Sequence, residues 1–251
     1  MPSDIRTFPL NVAADTQDER ARITGRLKAS PIPDGELIRN LSLFTLPQDV
    51  KRLLFLNELY EAAMATHGVI MEFGVRWGRD LATFQSLRAV HEPFNYSRRI
   101  FGFDTFEGFA SLDDKDGDDA IMQSGAFGVT DGYEGYLEDC LRSLEKESPV
   151  AEKKKFELVK GDVCRTIQEF MEARPELLIC LAYFDMDIYR PTKACLEAIL
   201  PRMPKGAVLA FDELCFPENP GETLALLESV DLRAVAVRRS RYSNYESYIV
   251  L

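Results

Sequence analysis

The 251 residues are 46% hydrophobic and 28% charged, a balance that suits one sizeable globular core. A net charge of −11 repels phosphate backbones and anionic bilayers, which argues against nucleic acid or a membrane as a general partner. Five cysteines without a CxxC pair and only two histidines, His67 and His91, argue against a zinc cage and leave little for a His-based triad.

The scattered cysteines suit reduced thiols, and the first twenty residues lack the basic and apolar regions of a signal peptide. A cytoplasmic location is therefore expected. No apolar run approaches the ~20 residues needed to span a bilayer.

Residues 1–65 read as helices and connectors. Leu53, Leu54, Leu59 and Met64 recur at helical spacing in a helix from Leu46 to Met64. Strands and helices then alternate. Strands are expected at Val69–Phe73, Ile100–Phe103, Phe156–Val159, Leu177–Phe184 and Ala207–Phe211. Helices are expected at Asp80–Val90, Tyr133–Lys146, Thr166–Glu172, Thr192–Leu200 and Glu222–Ser229. Leu232–Val237 and Tyr245–Val250 read as a terminal antiparallel pair. Such alternation predicts an α/β fold with a mainly parallel sheet. Leu177–Phe184 is nearly all apolar, as a central strand buried on both faces requires.

Acidic residues stand at or just beyond five of these strand ends: Glu72, Asp104, Asp162, Asp185 and Asp212. Ligands of open α/β sheets bind at that rim, although Asp also caps helices. After the first strand, Glu72-Phe-Gly-Val-Arg-Trp-Gly78 opens a helix. Gly74 permits a tight turn and Gly78 a close approach of backbone to ligand. Arg76 stands where the second glycine of GxGxxG belongs, so a pyrophosphate cradle for NAD or FAD is disfavoured. Asp104 is placed to accept ribose hydroxyls. Gly161-Asp162 suits either an adenine edge or a turn with a helix cap, and Trp77 suits either cofactor or core.

Asp185, Asp187, Asp212 and Glu213 form an acidic group on two successive strand ends. Asp185 and Asp187 point to one side of an extended segment. Converging carboxylates need protons or a cation between them, and hard oxygen donors suit Mg²⁺, Mn²⁺ or Ca²⁺. Such a group could serve chemistry on a hydroxyl, which is a poor nucleophile while protonated and needs a base, a metal or both. The loop of residues 107–132 carries Asp113, Asp114, Asp116, Asp118 and Asp119. With Gly117 as the sixth position of an EF-hand, Leu112 and Gln123 fall where acids are required, so a mobile acidic lid is expected instead.

EFGVRWG, FDTFEGF and FDMDIYRPTKACLEAILPRMPKGAVLAFDE, with GYEGYLEDCLRSL between, resemble the macrocin O-methyltransferase family. The resemblance covers about Val69 to Glu213. It implies a Rossmann-like S-adenosylmethionine (SAM) methyltransferase fold that acts on sugar or natural-product hydroxyls, usually with a divalent metal such as Mg²⁺. It implies that Glu72 and Gly74 line the methionine end of SAM, with Gly78 beside them. Asp104 would bind the ribose, Thr105 and Phe106 would form pocket walls, and Gly161 and Asp162 would neighbour the adenine. Asp185, Asp212 and Glu213 would be metal ligands, Asp185 also facing the cofactor, and Asp187 the general base. The chain departs from the family pattern at Glu213, where Asp is usual.

The expected organisation is thus an N-terminal helical extension over 1–65, serving as a lid or dimer face, and a Rossmann-like domain over 66–251. The expected partner is a small hydroxyl-bearing acceptor, with a homo-oligomer as a further expectation. The alternative readings are a methyltransferase of the same fold that uses a non-sugar acceptor without a metal, an NAD-dependent oxidoreductase and a non-catalytic homologue.

Overall fold

In a computed structural model, residues 14–242 and 244–251 are described. Seven strands form one sheet in the order β3-β2-β1-β4-β5-β7-β6. They are β1 (Val69–Phe73), β2 (Ile100–Asp104), β3 (Phe156–Lys160), β4 (Ile179–Phe184), β5 (Val208–Phe211), β6 (Val237–Arg239) and β7 (Ser247–Val250). The first five are parallel; β7 pairs antiparallel with both β5 and β6. The helices are α1 (Ala14–Lys28), the short α2 (Asp34–Leu37), α3 (Pro47–Ala63), α4 (Arg79–His91), α5 (Tyr133–Lys146), α6 (Val163–Glu172), α7 (Tyr189–Ile199) and α8 (Gly221–Ser229). The mainly parallel Rossmann-like sheet with its C-terminal antiparallel pair is as expected.

Several expected boundaries moved, among them the start of α7, three residues early at Tyr189, and two of the shifts have identifiable reasons. α6 begins three residues early because the Asp162 side chain accepts the Cys164 amide and caps it. β6 begins where the expected strand ended; Leu232 and Val235 instead pack against the core ahead of it. The arginines of β6 lie on an exposed edge strand, and Arg241 just beyond pairs with Glu58.

Strand alternation splits the core into two layers. Met71, Phe103, Phe184 and Leu209 face α6, α7 and α8. Ile70, Ile100, Leu181 and Val208 face α3, α4 and α5. The division expected at residue 65 falls just after α3, whose Phe55, Leu56 and Leu59 are fully buried in the second layer. No described helix is long and apolar enough to cross a membrane.

Four phenylalanines stack across the parallel strands. Phe103, Phe73, Phe184 and Phe211 are register partners in β2, β1, β4 and β5, with successive ring centroids 5.0, 4.9 and 5.1 Å apart. Each is followed directly by Asp104, Gly74, Asp185 or Asp212. Backbone hydrogen bonds run one residue past the stack, from Gly74 N to Phe103 O, Asp185 N to Phe73 O and Asp212 N to Phe184 O. The aromatic ladder therefore fixes the height at which the rim residues leave the sheet.

Candidate active site

A cavity of about 350 Å³ opens above this ladder, within the usual range for ligand sites. Its wall includes Gly74, Asp104 and Thr105 on one side, Gly161 and Asp162 at one end, and Asp185 and Asp187 at the other. Trp77 also lines it, edge-on to Tyr133 at 4.8 Å, whose hydroxyl donates to the Trp77 carbonyl. The structure thus puts Trp77 at the mouth rather than in the core.

Gly74 has φ +92°, and a Cβ there would lie 1.8 Å from the Asp185 carbonyl oxygen. Only glycine lets the β1 loop pass so close to the end of β4. Arg76 takes up φ +49°, and its amide donates to Asp104 Oδ2 at 2.7 Å. The Phe106 amide donates to Asp104 Oδ1 at 2.5 Å. Each carboxylate oxygen keeps a second lone pair for a ligand hydroxyl. Burial raises the Asp104 pKa, against the pull of these amides.

Other expected contacts lie outside the cavity wall. Glu72 is buried beneath the rim, and its Oε2 has no hydrogen-bond partner. Burial, then the charges of Asp80 and Asp185, push its pKa well up. Gly78, at φ +80°, packs on Leu137 and starts α4. Phe106 is buried against the second core layer. Asp212 and Glu213 also lie beyond the cavity wall.

At the acceptor end, Asp187 adopts φ +62°, uncommon for a non-glycine residue and recurrent where function imposes strain. Buried Glu222 of α8 holds that turn, its Oε1 accepting the Met186 amide at 2.9 Å and the Asp187 amide at 3.2 Å. Burial, then the charges of Asp185 and Glu213, raise the Asp187 pKa well above the usual range. Burial, then the charge of Asp187, does the same to Glu222. Within the acidic loop, Asp116 is buried and its Oδ1 accepts the Tyr189 amide at 2.6 Å, which ties the loop to the start of α7.

The resemblance did not include Arg52. From α3 its Nε and Nη2 donate to Asp80 Oδ2 at 2.9 and 2.6 Å, and Nη2 also donates to Asp185 Oδ2 at 2.6 Å. Nη1 pairs with Asp212 Oδ1 and lies 3.8 Å from Glu246 Oε1. Although burial opposes it, Arg52 and Arg79 hold the Asp80 pKa below its usual value. Burial raises the pKa of Glu213, the third expected metal ligand, with Asn219 opposing the rise. With Asp185 and Asp212 both gripping a guanidinium, the donor set does not fit the expected divalent ion. Among the described residues, no group of three or more His, Cys, Asp or Glu side chains is arranged to hold a metal.

Glu222 and Arg52 lie outside the stretches that carry the resemblance or at no motif position. A Glu opening a helix soon after Asp212-Glu213, and a lone Arg within an apolar helical stripe, were the available signals.

No protein-family model matches the sequence, and no curated protein matches it. Solved structures do. The chain is 40% identical to CalS11, calicheamicin methyltransferase, over 100% of this chain and 97% of that one, with a TM-score of 0.93. To the apo structure of CalS11, described as a TDP-rhamnose 3'-O-methyltransferase of calicheamicin biosynthesis, it is 37% identical over 96% of each chain, with a TM-score of 0.84. The O-methyltransferase NovP shares the fold at 16% identity, over 80% of this chain and 79% of that one, with a TM-score of 0.59. The chain belongs to the sugar O-methyltransferase family that includes CalS11.

Proposed function

We propose that this chain methylates a hydroxyl of a sugar or sugar-bearing natural-product intermediate, with SAM as methyl donor. One observation carries the reading: a single cavity is lined by the carboxylates of both Asp104 and Asp187, of which the first would hold a ribose and the second would face the acceptor. The likeness to CalS11, which acts on TDP-rhamnose, supports a nucleotide-linked deoxysugar as the acceptor class.

The cavity fits the donor. Asp104 offers lone pairs toward a ribose, the Gly74 backbone lines the wall toward a methionine tail, and Gly161 and Asp162 flank the far end. Bound there, SAM supplies a sulfonium-linked methyl whose C–S bond breaks, with the electron pair leaving on sulfur, as the acceptor oxygen takes the methyl. The protein's first task is alignment of the two reactants, and holding a near-attack geometry accounts for a large share of such rate gains. Its second task is removal of the hydroxyl proton. Asp187 receives that proton on its carboxylate, held at a fixed height by Glu222. A carboxylate whose pKa is raised by burial is a stronger base than an exposed one. No step here runs through a metal ion. The acidic loop, tied down at Asp116, serves in this reading to cover the acceptor and exclude water.

Thermal melting with S-adenosylhomocysteine (SAH) and with NADH tests the reading. Stabilisation by SAH and none by NADH is expected. The reverse would replace methyl transfer with oxidoreduction.

A further inference from the structure

The rim of carboxylates needs a positive charge, and α3 supplies one. Arg52 is 7% exposed, and neighbouring Phe55 and Leu56 are fully buried. Its side chain is thus rooted in the core rather than free to swing from the surface. The guanidinium stays protonated at any pH the fold survives. It lies at the junction of four elements: Asp80 opens α4, Asp185 follows β4, Asp212 follows β5 and Glu246 precedes β7. Its carbon stands 5.2 Å from the Tyr183 ring centroid, and the Tyr183 hydroxyl donates to Asp212 Oδ1 at 3.1 Å, so the acceptor it grips is oriented in turn.

A magnesium ion would take six oxygen ligands at about 2.0–2.1 Å in near-octahedral order. Asp185 Oδ2 and Asp212 Oδ1 are already bound by guanidinium nitrogens. An ion bridging those two oxygens would sit beside Nη1 and Nη2 with no anion between the cations. Glu213 is a methylene longer than the Asp usual in the family. The forked, planar donor set of arginine suits several carboxylates at once.

We propose that Arg52 is the resident cation of the acceptor half of the site, a positioning residue that fills the cage of Asp80, Asp185 and Asp212 and makes this chain's methyl transfer independent of a divalent ion. Arg52 acts through Asp185, which lines the cavity two residues before Asp187. The proposal rests on the methyltransferase reading for its turnover arm alone; its binding arm is read without turnover.

The experiment uses Mn²⁺ as probe, with bound ion counted by electron paramagnetic resonance in the wild type, Arg52→Lys and Arg52→Ala. Expected are no stoichiometric Mn²⁺ in the wild type or Arg52→Lys, and one Mn²⁺ per chain in Arg52→Ala once the cage is vacated. The turnover arm compares wild-type methyl transfer in excess EDTA with transfer in Mg²⁺, and equal rates are expected. One tightly bound Mn²⁺ per wild-type chain overturns the proposal, as does a rate lost in EDTA and restored by Mg²⁺. An Arg52→Ala protein that melts cooperatively and responds to SAH, yet takes up no Mn²⁺, also overturns it. If Arg52→Ala fails to fold, the wild-type measurements decide alone. An enzyme that shows no methyl transfer would count against the proposed function and leaves the Mn²⁺ arm readable.

Discussion

The two halves of the rim are built differently. The cofactor half, at the ends of β1, β2 and β3, uses short local motifs: a glycine at the first turn, a carboxylate on the adjacent strand and a Gly-Asp cap. Its main polar contacts are backbone amides, as at Asp104. The acceptor half, at β4, β5 and β7, gathers charges from distant segments. Arg52 and Asp185 are 133 residues apart in sequence, and Glu222 reaches Asp187 across 35. A site made of backbone and glycine is fixed once its strands pair. A site made of buried charges depends on every partner, because one missing charge leaves another uncompensated in low dielectric.

That contrast can be broken at its hinge. Gly74 belongs to both halves, since its Cα faces the Asp185 carbonyl. Gly74→Val is expected to cost about 4 kcal/mol or more, the range of steric failures in a core, and to abolish both SAH binding and cooperative melting, as read by circular dichroism. A folded Gly74→Val that binds SAH normally would show that the close approach is unimportant.

The next effect separates the halves. Asp187→Asn should lower kcat by about 10²- to 10⁴-fold, the usual worth of general base catalysis, while SAH affinity measured by calorimetry stays as in the wild type. Unchanged kcat would remove Asp187 from the mechanism. Conversely, Asp104→Asn should weaken SAH binding by about 10- to 100-fold, as loss of a charge-assisted hydrogen bond of about 1.5–3 kcal/mol predicts. At saturating SAM its kcat should fall far less than that of Asp187→Asn. Equal losses of kcat in both would mean the halves are not separable.

The smallest effect sharpens the electrostatic contrast. Glu222 has a folded pKa raised by burial and by Asp187, whereas an unfolded Glu titrates near about 4.3. Between those values the native state binds the proton and the unfolded state does not, so stability falls as pH rises above the unfolded value. Glu222→Gln removes that loss and keeps an acceptor for the Met186 and Asp187 amides. Its melting temperature relative to the wild type should therefore be higher at pH 8 than at pH 5. A difference independent of pH would mean that Glu222 carries no proton in the fold.

The same contrast explains what was legible in the sequence. The α/β alternation and most element bounds could be read because buried parallel strands and amphipathic helices leave strong periodic patterns; Tyr133–Lys146 was read to the residue. The cavity residues Gly74, Asp104, Gly161, Asp162, Asp185 and Asp187 could be read because each ends a strand or follows one within three residues. The bounds of β6 could not, since its three residues are all exposed and only Val237 is apolar. Arg52 was hidden for the opposite reason: it sits among buried residues of α3, and its one signal, an arginine within an apolar stripe, equally fits a side chain that snorkels to the surface. Glu72 was legible as a rim acid but not as one buried below the cavity, because one residue of register decides which side of the rim a side chain occupies. The repeated pairs Phe73-Gly74, Phe103-Asp104, Phe184-Asp185 and Phe211-Asp212 were the unused signal: a phenylalanine near each strand end, then one rim residue.

The central claim is that the two halves meet in one cavity to methylate a sugar hydroxyl. Its most direct test is incubation of the full chain with methyl-labelled SAM and TDP-rhamnose, followed by mass spectrometry and NMR of the sugar product. The account predicts label on a sugar oxygen as a methyl ether with the wild type, and its loss with Asp187→Asn. Label that remains wholly in SAM across a panel of nucleotide-linked deoxysugars, or that appears on nitrogen or carbon, would contradict it.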